Sequence, residues 1–434
     1  MELFGTQKFK NGVLTIGGVS VKELKETYGT PLYIMDEAAI RDKARLFRAS
    51  FRHKGLTSEV IYASKAFLTL AMVRLVAEEG LSLDVVSGGE LYTALTGGFP
   101  PEKIYFHGNN KSRSELQMAL DAGVGTIILD NPTELGLLEE LMAGRAGKQG
   151  VMLRVNPGIE AHTHEYISTT KNDSKFGLSI FNESTDDLIR RIARMEALEF
   201  KGLHCHIGSQ VFEESSYFKE ADTMLAYAAR FLDLQVPMPL MNLGGGFGVK
   251  YVEGDKPLEL QAFLSRFIGH IHDKAEELGL MPLKVAIEPG RSLVANAGTT
   301  LYEVGSVKDT GAGRRYVFVD GSMADHIRTA LYGAEYQAVL ADRMDDPVSG
   351  IWTVTGKACE SGDILVKDQA LPEARPGDLL AVLSTGAYHY SMASNYNRLP
   401  RPAVVFVRDG RSRVAVQRET YEDLIRLDRQ EEYK

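Results

Sequence analysis

The chain has 434 residues, of which 44% are hydrophobic and 25% are charged, proportions that are typical of a globular protein and exclude a disordered one. A net charge of −9 argues against nucleic acid or an anionic membrane surface as the main partner. The two cysteines, Cys205 and Cys359, are too few for a disulfide framework and favour a reducing compartment.

The first 30 residues predict a short hairpin with its turn at Asn11-Gly12. The N-terminus lacks the basic and then apolar layout of a signal peptide. The longest stretch without a charged side chain, from Leu379 to Asn397, contains too many polar residues to span a membrane. We therefore expect a cytoplasmic protein.

From about residue 59, within a predicted domain of residues 31–288, short apolar runs alternate with longer amphipathic segments. The runs are rich in β-branched residues and are mostly followed by Gly, Pro or Asn, which indicates strands, whereas the segments between them have helical periodicity. Eight alternations predict a (β/α)8 TIM-type barrel, with an open, doubly wound sheet as the alternative. The predicted strands are Glu59–Ser64, Leu81–Val86, Ile104–His107, Thr126–Leu129, Val151–Asn156, Gly202–Ile207, Leu240–Leu243 and Lys284–Ile287.

Residues 289–434 have a different pattern. Strand-like runs recur there without long helices between them, and turn pairs such as Asp320-Gly321 and Asp409-Gly410 separate the runs. This pattern predicts a C-terminal β-barrel or sandwich domain. We expect the hairpin of residues 1–30 to join it, so that the second domain comprises residues 1–30 plus 289–434.

Polar residues at the C-terminal ends of barrel strands are the catalytic candidates. Lys65 follows the first strand, either as a surface lysine or as an amine that forms a Schiff base with a carbonyl cofactor. Glu288 follows the eighth strand, directly before Pro289, Gly290 and Arg291. The carboxylate could hold a protonated ring nitrogen while Arg291 binds an oxyanion, or the two could form a structural ion pair.

The seventh strand is followed by Gly244, Gly245 and Gly246, with Gly248 close behind. Glycines at this place could bring backbone N–H groups close to a phosphate, or could simply form a tight turn. Val249 occupies the sixth position of a dinucleotide fingerprint read from Gly244, so a dinucleotide is not expected.

His204 and His206 lie on one face of the sixth strand, with Cys205 on the opposite face. Neither this pair nor His162 and His164 has the spacing of a helical metal-binding motif, so we expect no metal. Each strand histidine is either a core residue or, next to Gly208 and Ser209, a flat ring that stacks on a planar cofactor.

Cys359 belongs to a second site-like segment, Cys359-Glu360-Ser361-Gly362-Asp363, in the predicted β domain. A thiol beside two carboxylates has no cationic neighbour that would stabilise a thiolate. A proton donor therefore fits this position better than a nucleophile.

Taken together, these segments resemble those of the group IV pyridoxal-phosphate decarboxylases, which share the alanine-racemase-like fold (fold type III). Within this group the chain is most similar to the members that act on diaminopimelate. Phe67 and Thr329 depart from residues common in relatives, Asn and Pro respectively, and bear only on fine specificity. The matching motifs occur in the family's order between Pro31 and Asn397: Tyr62–Ala66, Asp84–Leu91, Phe106–Lys111, Val155–Gly158, Asp173–Gly177, His206–Gln210, Gly244–Gly248, Glu288–Arg291, Cys359–Asp363, Gly386–Tyr388 and Ser391–Asn397.

The resemblance implies that meso-2,6-diaminopimelate is decarboxylated to L-lysine and CO₂, the last step of lysine biosynthesis, with pyridoxal 5'-phosphate as cofactor. It implies a homodimer with shared active sites, in which Cys359 and Glu360 act in the partner's site. The implied catalytic residues are Lys65, which forms the Schiff base, and Cys359, which donates a proton. The implied cofactor ligands are Lys65, His206, Ser209, Gly244, Gly245, Gly246, Gly248, Glu288, Pro289, Gly290, Arg291 and Tyr388. The implied substrate contacts are Arg291, Arg328, Tyr332, Glu360 and Tyr388.

Three alternatives stay open at this point. A sister decarboxylase would act on ornithine, lysine, arginine or carboxynorspermidine, but Arg328 with Tyr332 favours a substrate that has a second carboxylate. A racemase of the same fold is disfavoured by the Cys359-Glu360 pair. A non-catalytic homologue that regulates a true decarboxylase is disfavoured because Lys65, Glu288 and Cys359 are all present.

Overall fold

The computed structural model of the chain describes residues 2–159 and 174–429. Its strands are β1 (Lys8–Lys10), β2 (Val13–Ile16), β3 (Val19–Ser20), β4 (Leu32–Asp36), β5 (Thr57–Ala63), β6 (Ser82–Val85), β7 (Ile104–Phe106), β8 (Thr126–Leu129), β9 (Gln149–Asn156), β10 (Leu178–Ser179), β11 (Leu198–His204), β12 (Leu240–Asn242), β13 (Lys284–Ile287), β14 (Gly298–Asp309), β15 (Arg315–Val319), β16 (Ala338–Leu340), β17 (Gly350–Thr355), β18 (Ile364–Leu371), β19 (Leu379–Leu383), β20 (Ala403–Arg408) and β21 (Arg411–Val416).

The helices are α1 (Val21–Tyr28), α2 (Glu37–Ser50), α3 (Leu70–Glu78), α4 (Gly88–Thr96), α5 (Arg113–Ala122), α6 (Pro132–Met142), α7 (Glu183–Arg194), α8 (Glu214–Ala229), α9 (Leu260–Glu277), α10 (Arg291–Val294), α11 (Ile327–Tyr332) and α12 (Tyr421–Ile425). In the ranges 2–159 and 174–429, no helix is long and apolar enough to cross a membrane.

The chain divides into two compact units. The barrel unit comprises Asp42–Val249 and Lys256–Leu293. The β unit comprises Met1–Arg41, Lys250–Asp255 and Val294–Lys434.

The barrel unit contains a closed parallel sheet of eight strands, β5 to β9 and β11 to β13. Its closure is made by β13 pairing with β5 and by β8 pairing with β9. The predicted barrel is confirmed, and the open sheet is wrong because an open sheet would leave two of these edges unpaired. Buried side chains fill the interior: Ile61, Tyr105, Ile128, Met152, Leu240 and Ala286.

Local sequence signals place the helices around this sheet. Asn131 caps α6 by accepting a hydrogen bond from the Glu134 backbone N–H, and Pro132 occupies the first helical position. Helix α5 begins with a capping box between Ser112 and Glu115. Such caps satisfy N–H groups that a helix start would leave without a partner, so the starts agree closely with the sequence pattern.

In the β unit, the main sheet has the strand order β18-β17-β15-β14-β4-β20-β21, and β19 pairs with β14 and β16. The predicted β region is confirmed, with short helices α1, α11 and α12 added to it. The unit to which strand β4 belongs differs from the prediction. All five residues of β4 are buried, and the strand pairs with β14 and β20 of the β unit. Residues 31–41 therefore belong to the β unit, although the predicted barrel domain began at residue 31.

Candidate active site

The carboxyl ends of the barrel strands bring together most of the predicted site residues of the barrel unit. Lys65 lies in a 3₁₀ turn directly after β5, and His206 lies two residues beyond the end of β11. The glycine loop follows β12, and Glu288 follows β13. Since the strands are parallel, all of these groups lie at one end of the barrel.

Glu288 is a buried acid of this end with several side-chain partners. Its side chain is buried, with Oε1 2.9 Å from Nε2 of His107 and Oε2 3.1 Å from Nε2 of His204. Asn242 donates from Nδ2 to Oε1 at 2.7 Å. Burial alone would raise the pKa of Glu288, but the two imidazoles outweigh it and hold that pKa well below its ordinary value. A carboxylate has about four acceptor positions, so these three contacts leave one free.

The surroundings of Glu288 are themselves buried and titratable. Burial lowers the pKa of His204 to about 4, so this imidazole is neutral at pH 7 and donates one N–H. Asp84, in β6, lies 3.9 Å from Nε2 of His107, and burial raises its pKa to about 7. One ring nitrogen of His107, one of His204 and one carboxylate oxygen of Glu288 all lie within 4.8 Å of one another, which is close enough to hold a metal ion that the sequence did not predict.

His107, Asn242 and Asp84 were not predicted as neighbours of Glu288. Each had a visible signal, because it is a polar residue in or directly after a short apolar strand: β7, β12 and β6 respectively. The partners of Glu288 come from three different strands, so only the barrel's closure brings them together. His162 and His164 lie outside the described residues.

The glycine loop packs closely against the neighbouring strand ends. Gly244 and Gly246 have φ values of 61° and 96°. A Cβ on Gly245 would lie 2.1 Å from the carbonyl oxygen of Glu288, and one on Gly246 would lie 2.3 Å from that of Gly208. The loop therefore requires glycine, and the Gly245 N–H donates to Nδ1 of His206 at 3.2 Å.

Backbone N–H groups remain available around this loop. Within the described part of the chain, the N–H groups of Ser209, Gly246 and Gly290 have no acceptor. Arg291 is buried and donates from Nε to Oγ of Ser209 at 3.1 Å. Unsatisfied N–H groups beside a guanidinium form a site for a phosphate, and the residues present fit one.

Lys65 is an exposed amine at this end of the barrel. Burial and then the positive charge of Lys65 lower the pKa of the His206 imidazole, and the same charge acts on Asp84 and Glu90. Lys111 differs because it is buried and donates from Nζ to the carbonyl oxygen of Ile128 at 2.6 Å.

Cys205 faces away from these groups, as predicted. It is buried, and its Sγ donates to Oε1 of Glu220 on α8 at 3.1 Å. Burial raises the pKa of Glu220 to about 8, so its carboxyl is largely protonated at pH 7. This pair lies behind the strand end that carries His206.

In the β unit, Arg328 lies among tyrosines. It is buried on α11, donates from Nε to the Tyr336 hydroxyl at 2.9 Å, and its guanidinium carbon is 4.9 Å from the ring centre of Tyr332 and 5.3 Å from that of Tyr388. No carboxylate among the described residues pairs with Arg328. A buried guanidinium without a counter-ion suits a ligand that supplies a carboxylate.

Cys359 and Glu360 form a separate, exposed group of the β unit. The Cys359 N–H donates to Oδ1 of Asn397 at 2.6 Å, and the Tyr396 hydroxyl donates to Glu360 at 3.4 Å. A hydrogen bond from the Gly362 N–H is the largest cause of a lowered pKa for Glu360. The structure thus places Lys65, His206, Ser209 and Glu288 in one unit and Arg328, Cys359 and Tyr388 in the other.

Comparisons with known proteins give consistent matches over nearly the whole chain. Residues 37–295 match the family model described as the pyridoxal binding domain of pyridoxal-dependent decarboxylases. The chain is 50% identical over 430 residues to the diaminopimelate decarboxylase of Bacillus subtilis, covering 99% of this chain and 98% of the relative. It is 46% identical to that of Staphylococcus aureus, covering 96% and 97%.

Solved structures agree with these matches. A crystal structure of the diaminopimelate decarboxylase of M. jannaschii superposes with a TM-score of 0.91 at 33% identity, covering 98% of this chain and 97% of that one. The Helicobacter pylori enzyme, crystallised with L-lysine, superposes with a TM-score of 0.86 at 32% identity, covering 94% and 98%.

Proposed function

This chain belongs to the diaminopimelate decarboxylases, a branch of the pyridoxal-dependent decarboxylase family, and we propose that the residues assembled above form its active site. The reaction converts meso-2,6-diaminopimelate to L-lysine and CO₂ as the last step of lysine biosynthesis. The observation that carries the assignment of the site is the buried, ionised Glu288 at the same barrel end as Lys65 and the glycine loop.

We propose pyridoxal 5'-phosphate as the cofactor. The N–H groups of Ser209, Gly246 and Gly290, together with Arg291, would hold its phosphate, and the His206 ring would lie against its plane. Further contacts would come from the other residues that the resemblance implies: Lys65, Gly244, Gly245, Gly248, Glu288, Pro289 and Tyr388. When bound, this cofactor supplies an electron sink for the negative charge left on the α-carbon as CO₂ departs.

Glu288 would hold a proton on the ring nitrogen of the cofactor. His107, His204 and Asn242 fix its carboxylate in place and keep it ionised, which leaves one acceptor position for an N–H donor. A cationic side chain at this place would repel a protonated nitrogen, whereas a carboxylate stabilises it. His107, His204 and Asn242 are thus positioning residues.

Lys65 would provide the amine that binds the cofactor's carbonyl and is displaced by the substrate's amine. Asp84 and Glu90 interact electrostatically with its positive charge. Cys359 would donate a proton from Sγ to the α-carbon of the substrate. Glu360, next to it, would bind an ammonium group of the substrate.

Arg328 would bind the distal carboxylate of the substrate, with contributions from Tyr332, Tyr388 and Arg291. Its burial without a carboxylate partner among the described residues is the observation that favours diaminopimelate over ornithine or lysine, which lack a second carboxylate. A charge-assisted, bidentate contact to this group would be absent with those smaller substrates.

We further propose a homodimer in which Cys359 and Glu360 complete the partner's site. The exposure of both residues supports this arrangement, because a proton donor must be shielded from water when it acts. A cytoplasmic location also remains a prediction.

Two measurements test these assignments. Release of CO₂ from a panel of diamino acids should be fastest with meso-diaminopimelate, and a preference for ornithine or lysine would favour the sister decarboxylases. Borohydride reduction of the yellow, cofactor-loaded protein should fix the cofactor covalently on Lys65. Mapping of the adduct to Lys111 or Lys175 by mass spectrometry would contradict the proposed role of Lys65.

A further inference from the structure

A cavity lies at the opposite end of the barrel from Lys65 and Glu288. It has a volume of about 550 Å³ and is lined by the beginning of β5, at Ser58 and Glu59, and the beginning of β6, at Ser82. We call it the basal cleft. Its cationic lining residues are Arg45, Arg48, Arg52 and Lys103.

The one carboxylate that lines the basal cleft is already neutralised. Glu59 pairs with Lys284 at 2.6 Å and accepts hydrogen bonds from the Tyr105 hydroxyl, also at 2.6 Å, and from the Ser82 hydroxyl. Burial alone would raise the pKa of Glu59, but these contacts outweigh it and lower the pKa. Glu59 therefore does not compensate the four cations of the lining.

Two of these cations have defined structural partners. Arg45 makes a bidentate ion pair with Glu79, with both N···O distances at 2.9 Å. Arg48 donates from Nη1 to the carbonyl oxygen of Glu79 at 2.5 Å. Gly80 has a φ of 70°, and a Cβ there would lie 3.1 Å from Nη1 of Arg48, so the absence of a side chain leaves room for this guanidinium.

The other two cations are exposed to solvent within the cleft. In the described part of the chain, Arg52 and Lys103 make no ion pair and no side-chain hydrogen bond. They come from different segments, one after α2 and the other directly before β7, and both line the same cavity. An ion pair with Glu79 accounts for Arg45, and the helix C-terminus accounts for Arg48, but neither accounts for Arg52 and Lys103.

We propose that the basal cleft binds a small anion with at least two negative charges, such as a phosphate ester or a polycarboxylate. Arg52 and Lys103 supply its charge-assisted contacts, Arg48 supplies a fixed guanidinium, and Ser58 supplies a hydroxyl. The volume falls within the range of about 300–1,000 Å³ that is typical of small-molecule sites. This inference is independent of the proposed decarboxylase mechanism.

The test uses protein loaded with pyridoxal 5'-phosphate, so that the phosphate site at the other end of the barrel is filled. Pyrophosphate and citrate are titrated calorimetrically at about 0.15 M salt, where exposed charges are screened beyond about 8 Å. We expect saturable binding of at least one probe, with one site per chain. The double variant Arg52→Gln/Lys103→Gln should weaken that binding at least tenfold.

The matched control is Arg74→Gln/Lys219→Gln, which removes the same two positive charges from exposed positions on α3 and α8. Its affinity should stay within twofold of the wild type. The probe should also raise the melting temperature of the wild type and the control, but not that of the cleft variant. Wild-type decarboxylase rates in both variants would show that they are folded.

The proposal is overturned if neither probe binds saturably, or if the two double variants lose affinity equally. Equal losses would mean that only the net charge of the protein attracts the anion. A loss restricted to the cleft variant assigns the site to Arg52 and Lys103.

Discussion

The two units differ in how their site residues are held. In the barrel unit, Glu288 is buried and contacts three side chains that lie in or directly after three other strands of the barrel. In the β unit, Cys359 and Glu360 are exposed, and the hydrogen bonds described above join them to nearby turns and to Tyr396 and Asn397. A buried carboxylate must have its hydrogen-bond partners within the chain, whereas an exposed thiol can be covered by the surface of another subunit.

This difference has a consequence for assembly. The proposed cofactor-binding half is organised within a single chain, because its groups lie on adjacent strands of one closed sheet. The proposed proton-donor half is not enclosed by the residues of its own unit. A two-fold symmetric dimer would enclose it and would build two identical sites.

The largest expected effect is on kcat, and its recovery on mixing two variants tests whether the cofactor-binding and proton-donor halves of one active site come from different chains. Lys65→Ala and Cys359→Ala should each lower kcat by about a thousandfold or more, since each removes a reacting group. After the two inactive proteins are mixed and exchange subunits, half of the dimers are mixed, and each mixed dimer has one intact site. Roughly a quarter of the wild-type activity should therefore return.

Mass spectrometry of the intact dimers provides the control for subunit exchange. If exchange is complete and no activity returns, both residues act within the same chain. That result would show that Cys359 does not act in the partner's site.

The next largest effect is expected on kcat/KM when Arg328, the buried cation of the β unit, is replaced. Arg328→Ala should lower kcat/KM for meso-diaminopimelate about tenfold to over a hundredfold, because a charge-assisted contact contributes about 1.5–3 kcal/mol. Arg411→Ala, at an exposed position of the same unit, should change it less than twofold. An unchanged kcat/KM in Arg328→Ala would show that the distal carboxylate binds elsewhere.

A smaller effect on kcat is expected when a side chain that contacts Glu288 is replaced. His204→Leu removes one donor but leaves His107 and Asn242, so kcat should fall about tenfold and the protein should release pyridoxal 5'-phosphate faster in dialysis. His204→Gln keeps an N–H donor and should retain more of the cofactor and of kcat than His204→Leu. Equal cofactor retention in the leucine variant and the wild type would exclude a positioning role.

The smallest expected effect is on the pH dependence of stability, and it concerns Glu220, the partner of Cys205. Its folded pKa is raised to about 8, so the native state keeps a proton that the unfolded chain loses near pH 4.5. The native state therefore binds more protons between these values, and its stability falls as pH rises through this window. The free energy of unfolding of the wild type should therefore fall between pH 6 and pH 8. In Glu220→Gln this fall should be smaller by about 1–3 kcal/mol.

Urea unfolding at both pH values measures this difference. The exposed variant Glu276→Gln should show the wild-type pH dependence, because its side chain is not buried. The same slope in Glu220→Gln and in the wild type would show that Glu220 is ionised in the native state.

The sequence by itself determined the order of the barrel elements and the positions of Lys65, the glycine loop and Glu288 at strand ends. These features depend on local pattern, because apolar runs, caps and glycines act within a few residues of the chain. The strand Thr126–Leu129 has the predicted limits.

Only the tertiary structure decided which side chains meet. His107, His204 and Asn242 surround Glu288 because β7, β11, β12 and β13 curve into one closed barrel, and Arg52 and Lys103 share a cleft for the same reason. Strand β4 likewise pairs with β14 and β20, which lie hundreds of residues away in the sequence. Such contacts depend on the pairing of distant strands, and hydrophobic periodicity in one segment carries no information about its partner.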